Sequence, residues 1–563
     1  MLNTGRFVVL FLAALVALTG CGDDEKKKSE EKKVEATPKK ELVSSGPVEK
    51  LTAPAGVVAF GGAQDLQAAT KNLGGIFDPA MITEQVKGAL ALSKLELDKP
   101  MRFMLADPKK NPEGSFIVGL DLGGKKGGEA VLPKEKKADD EGNAHSYKDP
   151  GGKKIFVNFV EPYTVFTRTK DAFSKNEAFF KKVIGADVEG GATVIVSVVN
   201  AQTVFKEEMD EAFEQMGKGP GTPGLAAGQL ESMMGGVRDA LEEVDTVAIT
   251  LDPVDGGSTA TIVATPKANT ELQKSLAGMK PQPLSFLAKL PPKTTGAAVF
   301  AMKPEMGGLA EKIFSWSMRA SLGIDDPKLV EASKEYWKAS TGEMAYAFTE
   351  IPDTKGSKVT MIAGITDQAA AQKYQDTLMS MYDDKAFNDR MGEMGMTYEV
   401  KKNAYEVAGA KATVVEMKVD PKKNPAGAML GAMNEQHNII GEDLQVSAFG
   451  DESQKVITAW LEGKVPGGFD KAPPVVRAMK NKAPGTFFIA WGDPAAIMAS
   501  VMAAAQPEGT KGAAPPAPPP TADGMALSLG AADGKLHVVF DLPTSTLKAL
   551  AATGGPGMGP GGL

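Results

Sequence analysis

The sequence predicts an α+β fold built from two similar halves. Three observations lead to this prediction: apolar strand-like runs recur along the chain, a two-strand pattern around a turn follows each of them, and helical periodicity fills the spaces between. The 563 residues can form several domains with substantial hydrophobic cores. Apolar residues make up 42% and charged residues 24%, which excludes wholesale disorder and a polytopic membrane protein.

Each recurring unit begins with a short apolar run that is typical of a buried strand. A hairpin pattern follows, in which two extended runs flank a turn rich in Pro, Asp and Gly. The four lead strands are Gly56–Phe60, Ala192–Val199, Gly296–Met302 and Thr486–Trp491, and the four hairpins are Arg102–Leu120, Thr246–Ala264, Glu343–Ile365 and Ala526–Leu542.

Helices are expected between these strands, because apolar residues three and four positions apart share one helix face. In the helix that contains Ala371 and Tyr374, the candidate N-cap is Thr366 or Asp367. Each unit therefore has the order strand, helix or helix pair, hairpin, helix. This order is close to that of a ferredoxin-like plait, and we expect the helices on one side of the sheets. The apolar positions are Phe205, Met209, Ala212 and Met216 in one helix and Ala371, Tyr374, Leu378 and Met381 in the other.

The units pair into two halves, residues 51–280 and 284–554, which are divided at the proline-rich segment Lys280–Pro283. A strand followed by a helix recurs at Lys154–Val183 and at Leu444–Leu461, once in each half. The Gly/Pro-rich stretches 217–228 and 507–524 are predicted to be loops, and residues 555–563 a disordered tail.

The N-terminus has the features of a secretory signal peptide, residues 1–20. Arg6 supplies a positive charge, and the apolar run Phe7–Leu18 has 12 residues, too few to cross ~30 Å of hydrocarbon as a helix. The run ends in Leu18-Thr19-Gly20-Cys21, which resembles the lipobox of bacterial lipoproteins. The alternative is an ordinary cleaved signal with a chance cysteine.

The resemblance to bacterial lipoproteins implies that Cys21 becomes the first residue and carries a thioether-linked diacylglyceryl group and an amide-linked acyl chain such as palmitate. More than one acyl chain anchors a protein stably. Gly22 stands where a retention signal would place Asp, which favours the outer membrane, on the periplasmic route. The mature region is similar to repetitive, uncharacterised bacterial envelope proteins.

Residues 22–50 are predicted to be a disordered tether between the lipidated cysteine and the folded part. They contain eight acidic and eight lysine residues and almost no apolar ones, so they cannot bury enough surface to offset the entropy of ordering. Lys26–Lys28 could touch anionic headgroups, but the neighbouring acids cancel this charge.

No residue pattern indicates catalysis, a cofactor or a metal site. The only cysteine is Cys21, and the three histidines, His145, His437 and His537, are isolated in the sequence. Gly123–Gly128 lacks the spacing of a phosphate loop and is predicted to be an ordinary loop. Acidic groups at 207–210, 325–326 and 383–384 are assigned to caps and solvated faces, and those at 252, 255 and 353 to turns.

Methionine is the one unusual component, with 27 residues. Clustered thioethers can hold copper(I), but without nearby His or Cys a role as flexible core filler is favoured. A third interpretation makes them an adaptable lining for a lipid or an unfolded polypeptide. The methionines concerned are Met379, Met381, Met391, Met394 and Met396, with Met209 and Met216 on another helix.

Three functional classes follow. The first is a non-catalytic, lipid-anchored envelope protein that binds or scaffolds other envelope components; the second is a carrier or chaperone for a hydrophobic ligand, either lipid or polypeptide. The third is a carboxylate-based hydrolase. Nucleic acid is not expected as a partner, because the net charge is -8. A continuous apolar groove would favour the carrier, and two converging carboxylates the hydrolase.

Lipidation is tested by the substitution Cys21→Ser. We expect the variant to leave the membrane fraction for the soluble envelope fraction, or to remain unprocessed, because it loses its acyl chains. Membrane fractionation with immunodetection measures this. Full membrane retention of the variant would contradict the prediction.

Overall fold

The structure is a computed structural model of the chain. It describes residues 45–71, 79–96, 98–107, 109–110, 115–138, 144–207, 241–280, 282–302, 327–354, 357–393, 395–420, 422–423, 434–493 and 523–552. These residues fall into two compact units, one comprising residues 45–206 and 245–264 and the other the remainder. The signal peptide, Cys21, residues 22–44 of the tether and the tail lie outside the described residues, as do the two predicted Gly/Pro loops apart from 523–524.

Ten antiparallel strands form the first unit. Their spatial order is β4-β5-β6-β7-β3-β2-β1-β8-β9-β10, so the lead strand β1 lies between β2 and β8. The strands are β1 (Val57–Ala63), β2 (Met101–Ala106), β3 (Phe116–Asp121), β4 (Lys137–Ala138), β5 (Ala144–Lys148), β6 (Lys154–Val160), β7 (Tyr163–Thr167), β8 (Ala192–Ser197), β9 (Val244–Val254) and β10 (Gly257–Pro266).

The second unit repeats this order with every label raised by ten: β14-β15-β16-β17-β13-β12-β11-β18-β19-β20. All its ladders are antiparallel as well. The strands are β11 (Gly296–Ala301), β12 (Ser340–Glu350), β13 (Ser357–Ile365), β14 (Met396–Val407), β15 (Ala410–Val419), β16 (Glu435–Ile440), β17 (Leu444–Phe449), β18 (Thr486–Gly492), β19 (Met525–Ala532) and β20 (Lys535–Pro543).

The α-helices are fewer than the strands in the described residues. Those that follow the first-unit strands are α1 (Leu66–Lys71), α2 (Pro79–Ala89), α3 (Gly124–Val131), α4 (Ala172–Ile184) and α5 (Val198–Val204). The second unit contains α6 (Glu271–Gly278), α7 (Phe286–Lys289), α8 (Pro327–Lys338), α9 (Gln368–Ser380), α10 (Lys385–Glu393), α11 (Ser453–Leu461), α12 (Pro473–Lys480) and α13 (Thr544–Ala552).

The prediction of two halves made of ferredoxin-like plait units is wrong. In a plait one helix joins the first strand to a parallel second strand, and another strand lies between them. Here two helices, α1 and α2, follow β1, so the chain returns antiparallel and β2 pairs directly with β1. The next predicted lead strand, β8, adds to the other side of β1 and does not begin a unit of its own. The outcome is a strand-dominated antiparallel sheet.

Helices pack on both faces of the strands, whereas the sequence predicted one. In the second unit, α11 and α12 pack against one face of the strands and bury Ile457 and Val475 there. On the opposite face, α6 buries Leu276 and α8 buries Tyr336, in two separate clusters. The predicted hairpins are present as β2–β3, β9–β10, β12–β13 and β19–β20. The N-cap Asp367 is confirmed, since its carboxylate accepts a hydrogen bond from Ala370 N at 3.0 Å.

The ordered part of the first unit includes residues 45–50, which the sequence assigns to the tether. Ser45 N donates to Gly185 O and Val48 N donates to Asp187 O, both at 2.8 Å. The Val48 side chain is fully buried in a core with α4. These contacts make residues 45–48 part of the first unit.

The second unit contains a buried ion pair whose loss should destabilise it. Asp541 on β20 is 3% exposed and accepts two-pronged hydrogen bonds from Arg477 of α12, with Asn481 Nδ2 as a further donor at 3.0 Å. We expect Asp541→Ala to lower the free energy of unfolding by about 3 kcal/mol, because it leaves a partly buried guanidinium without its carboxylate partner.

Urea unfolding followed by circular dichroism measures the loss. Glu350→Ala is the matched control: its partner Lys293 is exposed, and removing such a surface pair should cost less than about 1 kcal/mol. Equal effects of the two substitutions would contradict the prediction.

Candidate functional site

The register of the second unit aligns side chains in rows across eight strands, from β20 to β16. Directly opposed residues of an antiparallel ladder point to the same face of the sheet, so each row lies on one face. The first row contains Phe540, Leu527, Ala490, Ala298, Tyr346, Met361, Ser447 and Asn438. The second row contains Met525, Gly492, Gly296, Phe348, Val359, Phe449 and Gln436. We call these two rows the open face.

Small residues form a depression in the middle of the open face. Its floor consists of Ala490 and Ala298 in the first row and Gly492 and Gly296 in the second. Larger side chains stand on either side: Leu527 and Met525 on β19, and Tyr346 and Phe348 on β12. We call this depression the trough.

Solvent reaches the floor of the trough. Ala298 and Ala490 lie on the central strands β11 and β18, where a side chain is normally covered, yet both are partly exposed. Leu527, Tyr346 and Phe348 on the walls are also only half-buried. The described chain therefore leaves an apolar, accessible surface in the middle of its sheet.

The neighbouring row on the same face is covered by helices. Leu276 of α6 and Trp337 of α8 pack on Phe300 and Phe488, and Tyr336 Oη of α8 donates to Gln445 Oε1 at 2.7 Å. This covered row contains Val538, Leu529, Phe488, Phe300, Met344, Ala363, Gln445 and Ile440. The trough thus runs beside a layer of helices, and this layer forms one side of an apolar groove.

The open face carries no charged residue, although 24% of the chain is charged. Burial raises the pKa of Tyr346, so its hydroxyl stays neutral at physiological pH. At the end of the first row on β17 and β16 the side chains are neutral and polar but buried: Ser447 is 0% and Asn438 4% exposed. Asn438 Oδ1 accepts from Ser447 Oγ at 2.6 Å and from Gln436 Nε2 at 2.9 Å, while Asn438 Nδ2 is buried without a hydrogen-bond partner.

The opposite face of the same strands is a closed core. Ala297, next to Ala298 on β11, is 7% exposed and belongs to a cluster with Val299, Ile489 and Trp460. Within the described residues the two faces therefore differ along a single strand: helices cover one face, and the other is partly exposed at the trough.

The first unit carries a comparable half-buried row: Val247, Val196, Ala59, Leu105 and Phe116. Its small residue, Ala59, is on β1, the strand that corresponds to β11 in the order of the sheet. Ala59 is 6% exposed, so the row is less open there than the trough of the second unit.

Two of the three histidines have carboxylate partners that the sequence analysis did not identify. His145 Nε2 lies 2.9 Å from Glu129 Oε1, and His437 Nε2 lies 2.6 Å from Glu435 Oε1. Tyr405 Oη is 2.7 Å from His437 Nδ1, and burial raises the pKa of this tyrosine, which favours its role as donor. The i, i+2 spacing of Glu435 and His437 on a strand was the available signal. The His145 contact joins α3 to β5, the Glu435 contact lies within β16, and the Tyr405 contact joins β14 to β16.

The third histidine, His537, lies on β20 with its Nε2 buried and without a partner, and burial lowers its pKa. Among the acids of the described residues, Asp252 alone has a raised pKa, caused first by burial and opposed by the Gly191 amide that donates to it. Asp384 caps α10 through Phe387 N, as the sequence predicted. Within the described ranges, no three His, Cys, Asp or Glu residues are grouped so that they could hold a metal ion.

The described methionines of the predicted cluster pack with aromatic rings. Met381 and Met391 are buried with Phe387, and Tyr398 Oη is 3.7 Å from Met396 Sδ. Met394, Met209 and Met216 lie outside the described residues. Burial of these thioethers among aromatic side chains favours the core-filling interpretation for this cluster.

Part of the segment predicted as a loop at Gly123–Gly128 begins a helix, α3. Lys125 N donates to Glu161 Oε1 at 3.0 Å, so a carboxylate of the chain itself occupies the N-terminus. A Cβ at Gly124 would meet Glu161 Oε2 at 1.8 Å, which explains the glycine there. An external anion is not needed at this helix end.

The openness of the trough is tested by two substitutions at adjacent positions. We expect Ala298→Leu to change the free energy of unfolding by less than about 0.5 kcal/mol, because the new side chain enters open space. Ala297→Leu should cost about 1–3 kcal/mol, because it overpacks the closed core. Urea unfolding measures both, and equal losses would show that the trough is filled.

Comparison with known proteins gives no guide to the role of the open face. No family model matches the chain, and no curated protein or solved structure matches it. No helix in the part of the chain that the structure describes is both long enough and apolar enough to cross a bilayer.

Proposed function

We propose that this chain is a lipid-anchored cell-envelope protein that acts by binding, without catalysis, and that it holds a hydrophobic ligand on the open face. The single observation that carries the proposal is the trough: small residues in the middle of a sheet, of which Ala298, Ala490 and Gly492 are partly exposed, between apolar walls. Contiguous exposed apolar surface in a folded protein marks an interaction site.

The hydrophobic-ligand function is favoured over general scaffolding because the accessible surface is concave and uncharged. A scaffold surface needs neither property, whereas an apolar ligand gains about 25 cal/mol for each Å² of its surface that leaves water. The helices beside the trough supply a second apolar wall. The lipobox-like segment ending at Cys21 supports the anchor, and Gly22 supports the outer membrane.

The carboxylate hydrolase has no supporting observation of this kind. Glu416 and Glu435 are opposed across β15 and β16, but Glu416 pairs with Lys401, which lowers the pKa of Glu416. A pair of carboxylates for acid/base chemistry requires one raised and one normal pKa. We therefore propose binding and not hydrolysis.

The proposal is tested with the mature chain carrying Cys21→Ser, purified without detergent. We expect saturable binding of the uncharged fluorescent probe N-phenyl-1-naphthylamine. Ala298→Leu should weaken binding at least fivefold, because it fills the floor of the trough. Ala404→Leu, the same change at an exposed position of β14, is the control and should bind as before.

Equal binding by the two alanine variants would contradict the assignment of the ligand to the trough. Native mass spectrometry of the protein as purified from cells provides an independent measurement, with a co-eluting hydrophobic molecule as the expected result.

A further inference from the structure

We infer that one face of strands β5 and β6 in the first unit is a contact site for the anionic headgroups of membrane phospholipids. This inference goes beyond the proposed function, because it concerns another surface and a different chemistry from those of the trough. It follows from three observations: lysines are grouped on this face, carboxylates are lacking beside them, and the chain enters the unit on the same side.

The strand register places three lysines on one face of the sheet. Lys148 on β5 is directly opposed to Lys154 on β6. Two residues away on the same strands, Ser146 is opposed to Phe156 on one side and to Lys137 of β4 on the other. Opposed residues, and residues two positions apart on a strand, point to the same face. We call this surface the lysine face; its three lysines are exposed and Phe156 is half-buried.

No carboxylate in the described part of β5, β6 and β7 balances the charge of the lysine face. Asp149, next to Lys148 in the chain, pairs with Arg168. The acids at positions 139–141 precede β5, at the end of the strand away from Lys148. Like charges directly opposed across a ladder destabilise it, so Lys148 opposite Lys154 lowers the stability of the sheet. The other side chains on this face are neutral: Ser146, Asn158, Val160, Tyr163, Val165 and Thr167.

The corresponding face of the second unit has its charges in pairs. The helix after the seventh strand of each unit, α4 after β7 and α11 after β17, marks the corresponding faces, because each buries its apolar side chains there. On that face of the second unit Lys401 pairs with Glu416, and Lys418 pairs with Glu399. The lysine face differs from this counterpart by its single sign of charge, which favours attraction to an anionic surface.

Lysine is better matched to a layer of headgroups than to a single bound phosphate. Its ammonium group is a compact charge on a flexible stem, so it can follow anions that move in the plane of a membrane. A site for one phosphate uses converging donors with fixed geometry, such as a guanidinium or backbone N–H groups. Lys154 Nζ lies 4.8 Å from the centre of the Phe156 ring, which adds an apolar side chain to the contact surface.

The chain enters the first unit on the side of the lysine face. The row that contains Phe156 continues across the strands through Ile117 to Phe60. Val48 is buried in one cluster with Ile117 and Phe60, beside α4. The sheet therefore does not separate this point of entry from the lysine face. An acyl anchor at Cys21, as in the proposed function, would keep the lysine face at a high effective concentration of headgroups.

Vesicle binding by the mature chain carrying Cys21→Ser tests the inference, because this variant has no acyl anchor. The protein is sedimented with vesicles of phosphatidylglycerol or of phosphatidylcholine at low salt. We expect binding to phosphatidylglycerol to be about tenfold tighter, because only this lipid has a net negative charge. Binding should weaken as salt rises to about 0.15 M, where charges are screened. Equal binding to the two lipids would overturn the inference.

Two double variants locate the contact. Lys148→Gln with Lys154→Gln should weaken binding to phosphatidylglycerol vesicles about tenfold, because two charges leave the contact. The control, Lys402→Gln with Lys411→Gln, removes the same charge at exposed positions of β14 and β15 and should bind as before. Urea unfolding should show that the first double variant is as stable as the parent or more stable, because opposed like charges are removed. Equal loss of binding in both would overturn the inference.

A labelling experiment measures the orientation of the anchored protein. Cys21 is the only cysteine, so the unacylated mature chain can be coupled through it to a maleimide phospholipid in vesicles. The lysines are then modified with an amine-reactive reagent and quantified by mass spectrometry. We expect slower modification of Lys148 and Lys154 on phosphatidylglycerol than on phosphatidylcholine, with Lys402 and Lys411 unchanged. Equal rates on the two lipids would overturn the inference.

Competition distinguishes the headgroup surface from other anionic ligands. Inorganic phosphate should displace the protein from vesicles no better than sodium chloride of equal ionic strength; stronger displacement would indicate a discrete phosphate site and overturn the inference. Lysine-dependent binding of duplex DNA or polyglutamate without binding to phosphatidylglycerol would overturn it as well. The double variant of the lysine face should still bind N-phenyl-1-naphthylamine, so failure of this inference and failure of the proposed function are separate results.

Discussion

The antiparallel register around β11 is the constraint on which the rest of the second unit depends. Because successive side chains of a strand point to opposite faces, a slip of one residue would exchange Ala297 and Ala298 between the closed core and the trough. The helices on the closed face specify the register, since Val299 and Ile489 must meet α11 and α12. Packing on one face therefore positions the trough on the other.

The open face combines an apolar middle with a neutral polar end, and both come from the same rows of residues. The residues on β11 and β18 are small, so a ligand can approach the backbone there. The side chains on β12 and β19 are large and form the walls. The helices α6 and α8 cover the adjacent row and so limit the exposed apolar surface to the trough. An open apolar surface of restricted width is compatible with a folded unit.

Buried titratable groups of the second unit have structural roles. Asp541 binds Arg477 and so joins β20 to α12, and the Tyr405–His437–Glu435 contacts join β14 to β16 across the small residue Ala412. Each network brings charged or polar groups from distant parts of the chain into contact. None of them lies in the rows of the open face, so the site keeps its neutral character.

The sequence by itself determined the local elements: the lead strands, the hairpins, the Asp367 cap and the apolar signal-like segment that ends at Cys21. These depend on residues within a few positions of one another, through periodicity, turns and capping. Only the tertiary structure decided the order of the strands, the covered faces and the contact of His437 with Tyr405, 32 residues away. Alternation indicates that a strand has two faces, but the packing of distant segments selects which neighbours it has and which face stays open.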